Sequence, residues 1–175
     1  KHLFKKLQQM KNLDFVSDKR FQHDNLYWNY RLGGLQAAFG IESLKAIDST
    51  IQYKIKQATY YNYLFSNYKD YIKTPMIQKG KMHNHYWVYG IVLNENHNRE
   101  NIMQSLYTAG IETRPFFWPL HLQNALPDKL KMEKGSLPVS ENLGENGLYL
   151  PLGEHINKKI QKIIISKLIN NIESF

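Results

Sequence analysis

The run Tyr86-Trp87-Val88-Tyr89-Gly90-Ile91-Val92-Leu93 decides how the rest of the chain is read. Aromatic and β-branched residues suit a pleated, half-buried surface, so these residues read as a strand. Downstream, residues 98–109 read as a helix, and Gly110 stands where a left-handed C-terminal residue is expected. Residues 111–117 make a second strand candidate, cut off at Pro119. Residues 138–146 suggest a short helix stopped by Gly147, and residues 148–150 a third strand ahead of Pro151. The chain ends on Ile156, Ile160, Ile163, Ile164, Leu168 and Ile172, spaced as on one face of a helix. Upstream, Leu44, Ile47, Ile51, Ile55 and Ala58 step by three and four. They predict a long helix from about residue 34 to 68, with a bend near Asp48-Ser49-Thr50 and a stop before Pro75. Residues 2–13 read as a short amphipathic helix, and residues 14–29 as a polar, irregular stretch. The expectation is an α/β arrangement of the α+β kind. Residues 85–93, 111–117 and 148–151 share a small, mainly antiparallel sheet, with the helices at 98–109 and 156–172 packed on one face.

With 175 residues, 42% apolar and 13% aromatic, there is ample material for a core. No apolar run approaches the ~20 residues of a membrane helix. The first residues, Lys1-His2-Leu3-Phe4-Lys5-Lys6, lack the apolar stretch of a signal peptide, and a cytoplasmic location is expected. The absence of cysteine excludes disulfides, thiolate metal sites and a thiol nucleophile. The net charge of +8 is concentrated at the ends. Residues 1–68 carry ten basic and five acidic groups, 69–155 nine of each, and 156–175 four and one. Such a balance suits an anionic ligand, a nucleic acid or an acidic partner, and equally a lysine-rich solvated surface.

Two segments carry more specific chemistry than packing needs. In Trp28-Asn29-Tyr30-Arg31-Leu32-Gly33-Gly34-Leu35-Gln36-Ala37-Ala38, an Asn and an Arg flank a Tyr, and two glycines open a helix of small residues. Polar side chains ahead of a helix N-terminus suit an anionic group, while the simpler reading makes Asn29 a cap and Gly33-Gly34 a turn. In Gly110-Ile111-Glu112-Thr113-Arg114-Pro115-Phe116-Phe117-Trp118-Pro119-Leu120-His121, two prolines stiffen an aromatic run between Arg114 and His121. Arg114 can hold a phosphate bidentately and His121 can donate to one or move a proton; an edge strand with His121 satisfied by backbone is the competing reading. His83-Asn84-His85 has no evident third metal ligand, and no metal is expected. Tyr60, Tyr61, Tyr63 and Tyr68 read as helix-packing aromatics rather than stacking platforms for nucleic acid.

Taken in order, these segments resemble the C-terminal part of the DegT/StrS group of pyridoxal-phosphate enzymes, the nucleotide-sugar aminotransferases with the aspartate-aminotransferase fold. The matching residues are Asn29-Tyr30-Arg31 followed by Gln36-Ala37-Ala38, Gly110-Ile111 through Arg114-Pro115 to Pro119-Leu120-His121, Pro138-Val139-Ser140-Glu141, and Leu148-Tyr149-Leu150-Pro151. The texture is nearest the perosamine-synthase-like members, which aminate C4 of a GDP-linked 4-keto-6-deoxy sugar. The resemblance implies a homodimer. Asn29 would reach the cofactor phosphate of the neighbouring subunit, with Arg31 beside it, and Arg114 and His121 would meet the sugar or its diphosphate. It implies pyridoxal 5'-phosphate as cofactor, an amino acid such as glutamate as donor, and no membrane or nucleic-acid partner. It further implies residues 1–34 as the end of the large-domain region and 35–175 as the long helix and small domain. The family's Schiff-base lysine lies upstream of its Asn-x-Arg element, and no counterpart stands in residues 1–28, so no catalytic residue is assigned here. A sugar dehydratase of the same fold, with His in place of that lysine, is an alternative. A free-standing basic binding module is another, separable by the salt dependence of nucleic-acid binding.

Overall fold

The computed structural model describes residues 1–15, 21 and 23–173. The chain forms two compact units, Lys1–Ile47 and Asp48–Phe175.

The first unit begins with α1 (His2–Lys11) and ends with α2 (Gly34–Lys45). After α1 the backbone turns through two residues of positive φ, Leu13 and Asp14. Asp14 is 2% exposed, and its carboxylate accepts from the Asn25 backbone N–H at 2.7 Å, the Asn25 amide at 3.2 Å and the Gln9 amide. Such a carboxylate is expensive to bury unless its lone pairs are filled, and here they are. Burial pushes its acidity down, but these hydrogen bonds outweigh it and hold the carboxyl below its usual range. Part of the irregular stretch expected at 14–29 lies outside the described residues.

The predicted long helix is two helices. At Ala46 the backbone (φ −99°, ψ −2°) tightens into a turn, Ala46 N–H donating to Ser43 O, and α3 (Ile47–Leu64) follows. In the second unit α3 buries Gln57, Ala58 and Tyr61. Beyond it lie β1 (Ile72–Lys73) and a small hairpin, β2 (Gln78–Lys79) with β3 (Met82–His83), none of which the sequence pattern signalled. Strands of two residues carry too little periodicity to be seen in advance.

The predicted strand at 86–93 starts later, as β4 (Tyr89–Leu93). Tyr86 has φ +51°, and its N–H donates to the Asn84 side-chain oxygen at 2.8 Å, so a local turn replaces the strand entry. Next come α4 (Arg99–Thr108), capped by the Asn98 side chain on Asn101 N–H, and β5 (Arg114–Pro115). The strand expected over 111–117 shrinks to these two residues, since Pro115 and Pro119 have no N–H for a ladder. Then follow α5 (Pro138–Asn146), β6 (Gly147–Leu150) and α6 (Lys158–Glu173).

The sheet order is β1-β4-β6-β5, all neighbours antiparallel, so the three strand segments do share one sheet. Register pairs Tyr89 with Leu150 and Ile91 with Leu148, which puts these four on one face. That face is the core: α3 brings Ala58 and Tyr61, the turn after it Phe65, α4 Ile102 and Leu106, and α6 Ile164, Leu168 and Ile172, all buried. Tyr61 stacks on Tyr89 with centroids 4.7 Å apart. The other face pairs Gly90 with Tyr149 and Val92 with Gly147. Phe116 lies over the two glycines, at a place where a Cβ on either would clash with its ring. Close approach of an aromatic ring to the backbone is what glycine permits here. Among the described residues, no helix is long and apolar enough to cross a membrane.

Candidate functional site

In the first unit, the buried Asp14 carboxylate anchors Asn25 and thereby the segment leading to Asn29. Asn29 then pairs with Asn12 in an isolated antiparallel bridge, Tyr30 N–H donating to Lys11 O at 2.9 Å. Asn29 is therefore not a helix cap. That place belongs to Gly33 (φ −70°, ψ 150°), without a side-chain cap. The Asn29 side-chain oxygen accepts from Arg31 twice, from its backbone N–H at 3.2 Å and from Nε at 3.0 Å. Arg31 also lies over the Phe15 ring, 5.9 Å from its centroid. A cavity of about 760 Å³ opens beside it, with Lys5 and Lys11 in its wall.

These contacts fix the orientation of both side chains. Arg31 occupies the Asn29 oxygen, both residues are exposed, and the Asn29 amide nitrogen and the terminal guanidinium nitrogens are left as further donors. Two neutral amide N–H groups beside a delocalised cation are a donor set that fits a phosphate. The residues present are thus compatible with the phosphate end of pyridoxal phosphate.

In the second unit, Arg114 sits in β5 opposite Tyr149 of β6. It is exposed and meets Glu112 at 3.2 Å, both side chains more than two-thirds solvent-accessible, so the pair is easily exchanged for an anionic ligand. Beside it lies a cavity of about 520 Å³, walled by Trp87, Glu112, Tyr149, Glu154 and His155 among others.

His121 is placed quite differently. It is 6% exposed, in a short 3-10 turn after Pro119. Its Nε2 lies 3.0 Å from Oε1 of Glu141, itself 5% exposed. The partner is thus a carboxylate and not the backbone. Glu141 also accepts from Gly135 N–H at 2.7 Å and Leu137 N–H at 3.0 Å. Burial alone would raise the Glu141 carboxyl; the two backbone bonds and His121 together hold it below its ordinary range. Packing supports the same geometry, because Gly144 of α5 lets Pro119 come so near that a Cβ would sit 2.6 Å from its Cδ. The Trp118 indole N–H closes the turn by donating to Leu122 O. His121 is not in the wall of the cavity beside Arg114.

Glu141 and Asp14 are two buried carboxylates to which the sequence reading gave no role of their own. For Glu141 a signal was present: Pro138 opens a helix and an acid follows three residues later, the pattern of a side chain that satisfies a helix N-terminus. For Asp14 there was none. Among the described residues, no group of three His, Asp or Glu could hold a metal ion.

Comparisons of sequence and fold relate this chain to known proteins. The sequence profile of the DegT/DnrJ/EryC1/StrS aminotransferase family matches residues 1–169. A GDP-perosamine synthase of Vibrio cholerae is 32% identical over 145 residues, covering 81% of this chain and 38% of the relative. Another, of Escherichia coli O157:H7, is 28% identical over 174 residues, covering 99% and 45%. The chain thus spans less than half the length of these relatives. Among solved structures, the aminotransferase TlmJ of Streptoalloteichus hindustanus superposes with a TM-score of 0.83 at 20% identity, over 99% of this chain and 45% of that one. PseC of Helicobacter pylori, an aminotransferase involved in the biosynthesis of pseudoaminic acid, superposes at 0.78 with 22% identity, over 99% and 47%. These superpositions establish the fold as that of the C-terminal region of such enzymes. By the match of its profile to nearly the whole sequence, the chain belongs to the DegT/DnrJ/EryC1/StrS aminotransferase family.

Proposed function

We propose that this chain is the C-terminal portion of a pyridoxal-phosphate-dependent aminotransferase. It would move an amino group from an amino acid, glutamate being the expected donor, to a nucleotide-linked 4-keto-6-deoxy sugar of the GDP-perosamine type. The observation that carries the reading is the 32% identity to a GDP-perosamine synthase over 81% of the chain. The held pair Asn29–Arg31 and the accessible Arg114 supply matching chemistry.

The cofactor, when bound, supplies the electron sink that lets an amino group leave one carbon and join another. The work of this chain is binding and orientation. Asn29 donates its amide N–H to the cofactor phosphate of a partner subunit in a homodimer, and Arg31 holds the Asn29 oxygen so that the amide nitrogen faces outward. Arg114, freed from Glu112, takes the diphosphate of the sugar nucleotide, and His121 lies along the same substrate. The remaining length of the relatives supplies the lysine and covers α2, a helix of twelve residues none of which is buried here.

The reading is tested on the full-length protein that carries these residues. Incubated with glutamate and a GDP-linked 4-keto-6-deoxy sugar, it is expected to yield the 4-amino sugar and 2-oxoglutarate. Loss of water from the sugar without amino transfer would establish the dehydratase instead. Asn29→Ala should weaken cofactor retention and Arg114→Ala sugar-nucleotide binding. One lost hydrogen bond to a phosphate costs about 1.5–3 kcal/mol, roughly ten- to a hundredfold, with the neutral Asn29 at the lower end.

A further inference from the structure

The buried pair His121–Glu141 does more than fasten a loop. Glu141 would satisfy the start of α5 by itself, because its two carboxylate oxygens already accept from Gly135 and Leu137 N–H. The turn would also stay seated without the imidazole, through Pro119 on Gly144 and Trp118 on Leu122. Yet a histidine is present, and only one of its nitrogens is engaged. Nε2 faces Glu141 at 3.0 Å, while Nδ1 has no hydrogen-bond partner among the described residues and is not among the buried side-chain atoms that lack one. An ionised carboxylate accepts only, so the pair requires the hydrogen on Nε2 and leaves Nδ1 as the atom that can meet something else.

We propose that Glu141 is a positioning residue which, by holding Nε2 of His121, presents Nδ1 to the sugar nucleotide. The inference rests on the sugar-nucleotide reading above and adds to it which nitrogen is offered and which residue sets it. A carboxylate behind an imidazole fixes both the tautomer and the ring plane. A ring so fixed meets a ligand without having to be ordered on binding. The ligand-facing atom can accept from a sugar hydroxyl when the ring is neutral, or donate to a phosphate oxygen when it is protonated.

Amide side chains separate the two nitrogens. In His121→Gln the amide nitrogen stands near the place of Nε2 and can still donate to Glu141, but nothing stands at Nδ1. In His121→Asn the amide nitrogen stands near Nδ1, and the link to Glu141 is lost. In the full-length protein, titrated with the GDP-linked keto sugar, H121Q is expected to keep the wild-type melting temperature and lose about tenfold or more in affinity. H121N is expected to melt earlier and bind better than H121Q. Glu141→Gln can keep one backbone bond and turn its NH₂ toward Nε2, which moves the ring hydrogen to Nδ1. It should weaken binding in the wild-type background and change nothing further in the H121Q background, because its effect passes through the imidazole. Wild-type affinity in H121Q would overturn the proposal, as would an E141Q effect of equal size in both backgrounds. In either case the sugar-nucleotide reading stands, since the wild type binds. Should the wild type itself fail to bind any GDP- or UDP-linked sugar, that reading falls and takes this one with it.

Discussion

Glu141, 5% exposed, is held by two backbone N–H groups and an imidazole, so its charge is part of the fold. Its carboxyl is held below the ordinary value of 4.5 in the folded protein. A group depressed in this way contributes stability that is complete above its unfolded value and is lost as the pH falls through the folded one. The wild type should therefore exceed E141Q in stability at neutral pH, and the gap should close as the pH drops below about 4.5. Denaturant midpoints of the two proteins, measured in parallel between neutral pH and about pH 4, check this, and a gap that stays constant would show that the charge is not what E141Q removes. At the same scale, the sequence singled out some polar residues and not their partners. Asn29, Arg31 and Arg114 stood out because polar donors ahead of a helix N-terminus, and a guanidinium at a proline-stiffened run, suit an anionic group. The partner of His121 was not visible, because it lies twenty positions away on another element and sequence order does not reveal which side chains meet across a turn.

At the scale of elements, what was legible followed the strength of the period. The helices at 99–108 and 158–173 came close to their expected bounds, since each has a buried stripe to declare it. The strand at 111–117 was overextended because aromatic residues favour strands while the two prolines deny them a ladder. The sequence read Gly147 as a helix stop and Gly90 only as part of a strand, although both glycines make room for Phe116 on the outer face. Gly90→Ala puts a methyl group where the Phe116 ring lies, and the ring must move off the sheet. Overpacking of this kind costs about 1–3 kcal/mol. The same substitution at Gly34, where nothing lies within 4 Å, should cost no packing and serves as the control. A second link joins α3 to the segment after β6: Gln57, 4% exposed, accepts from Gly153 N–H at 3.2 Å and donates to Gly153 O at 2.7 Å. Gln161 of α6 donates in turn to Gln57 O at 2.9 Å. Gln57→Leu leaves the Gly153 N–H without its partner, and about 1–3 kcal/mol of stability should go with it. Thermal melts of the three variants rank these costs, and a Gly90→Ala protein as stable as wild type would mean that Phe116 moves aside freely.

For the whole molecule, the two units differ in what they bury. Residues 48–175 enclose a core of tyrosine, isoleucine and leucine side chains contributed by three helices and the sheet. In residues 1–47, by contrast, Leu3, Phe4, Trp28, Leu32, Leu35, Phe39 and Leu44 are each more than 60% exposed. Single exposed apolar residues are ordinary, but this many within one short segment mark a surface that something covers. The chain spans less than half of its perosamine-synthase relatives, and the proposed function assigns the covering to the remainder of that length. Fully burying one leucine or phenylalanine side chain gains about 1.5–3 kcal/mol, so leaving the set open favours self-association. The 175-residue chain alone is therefore expected to bind a hydrophobic dye strongly and to elute as mixed oligomers, whereas the full-length protein should do neither. Replacing Leu35, Phe39 and Leu44 of α2 with Ser, Lys and Gln should suppress dye binding by the short chain and leave the melting of residues 48–175 unchanged, because no α2 residue belongs to that core. The same triple replacement in the full-length protein should lower its stability. If it does not, α2 stays in water in the complete protein, and the remaining half covers some other face.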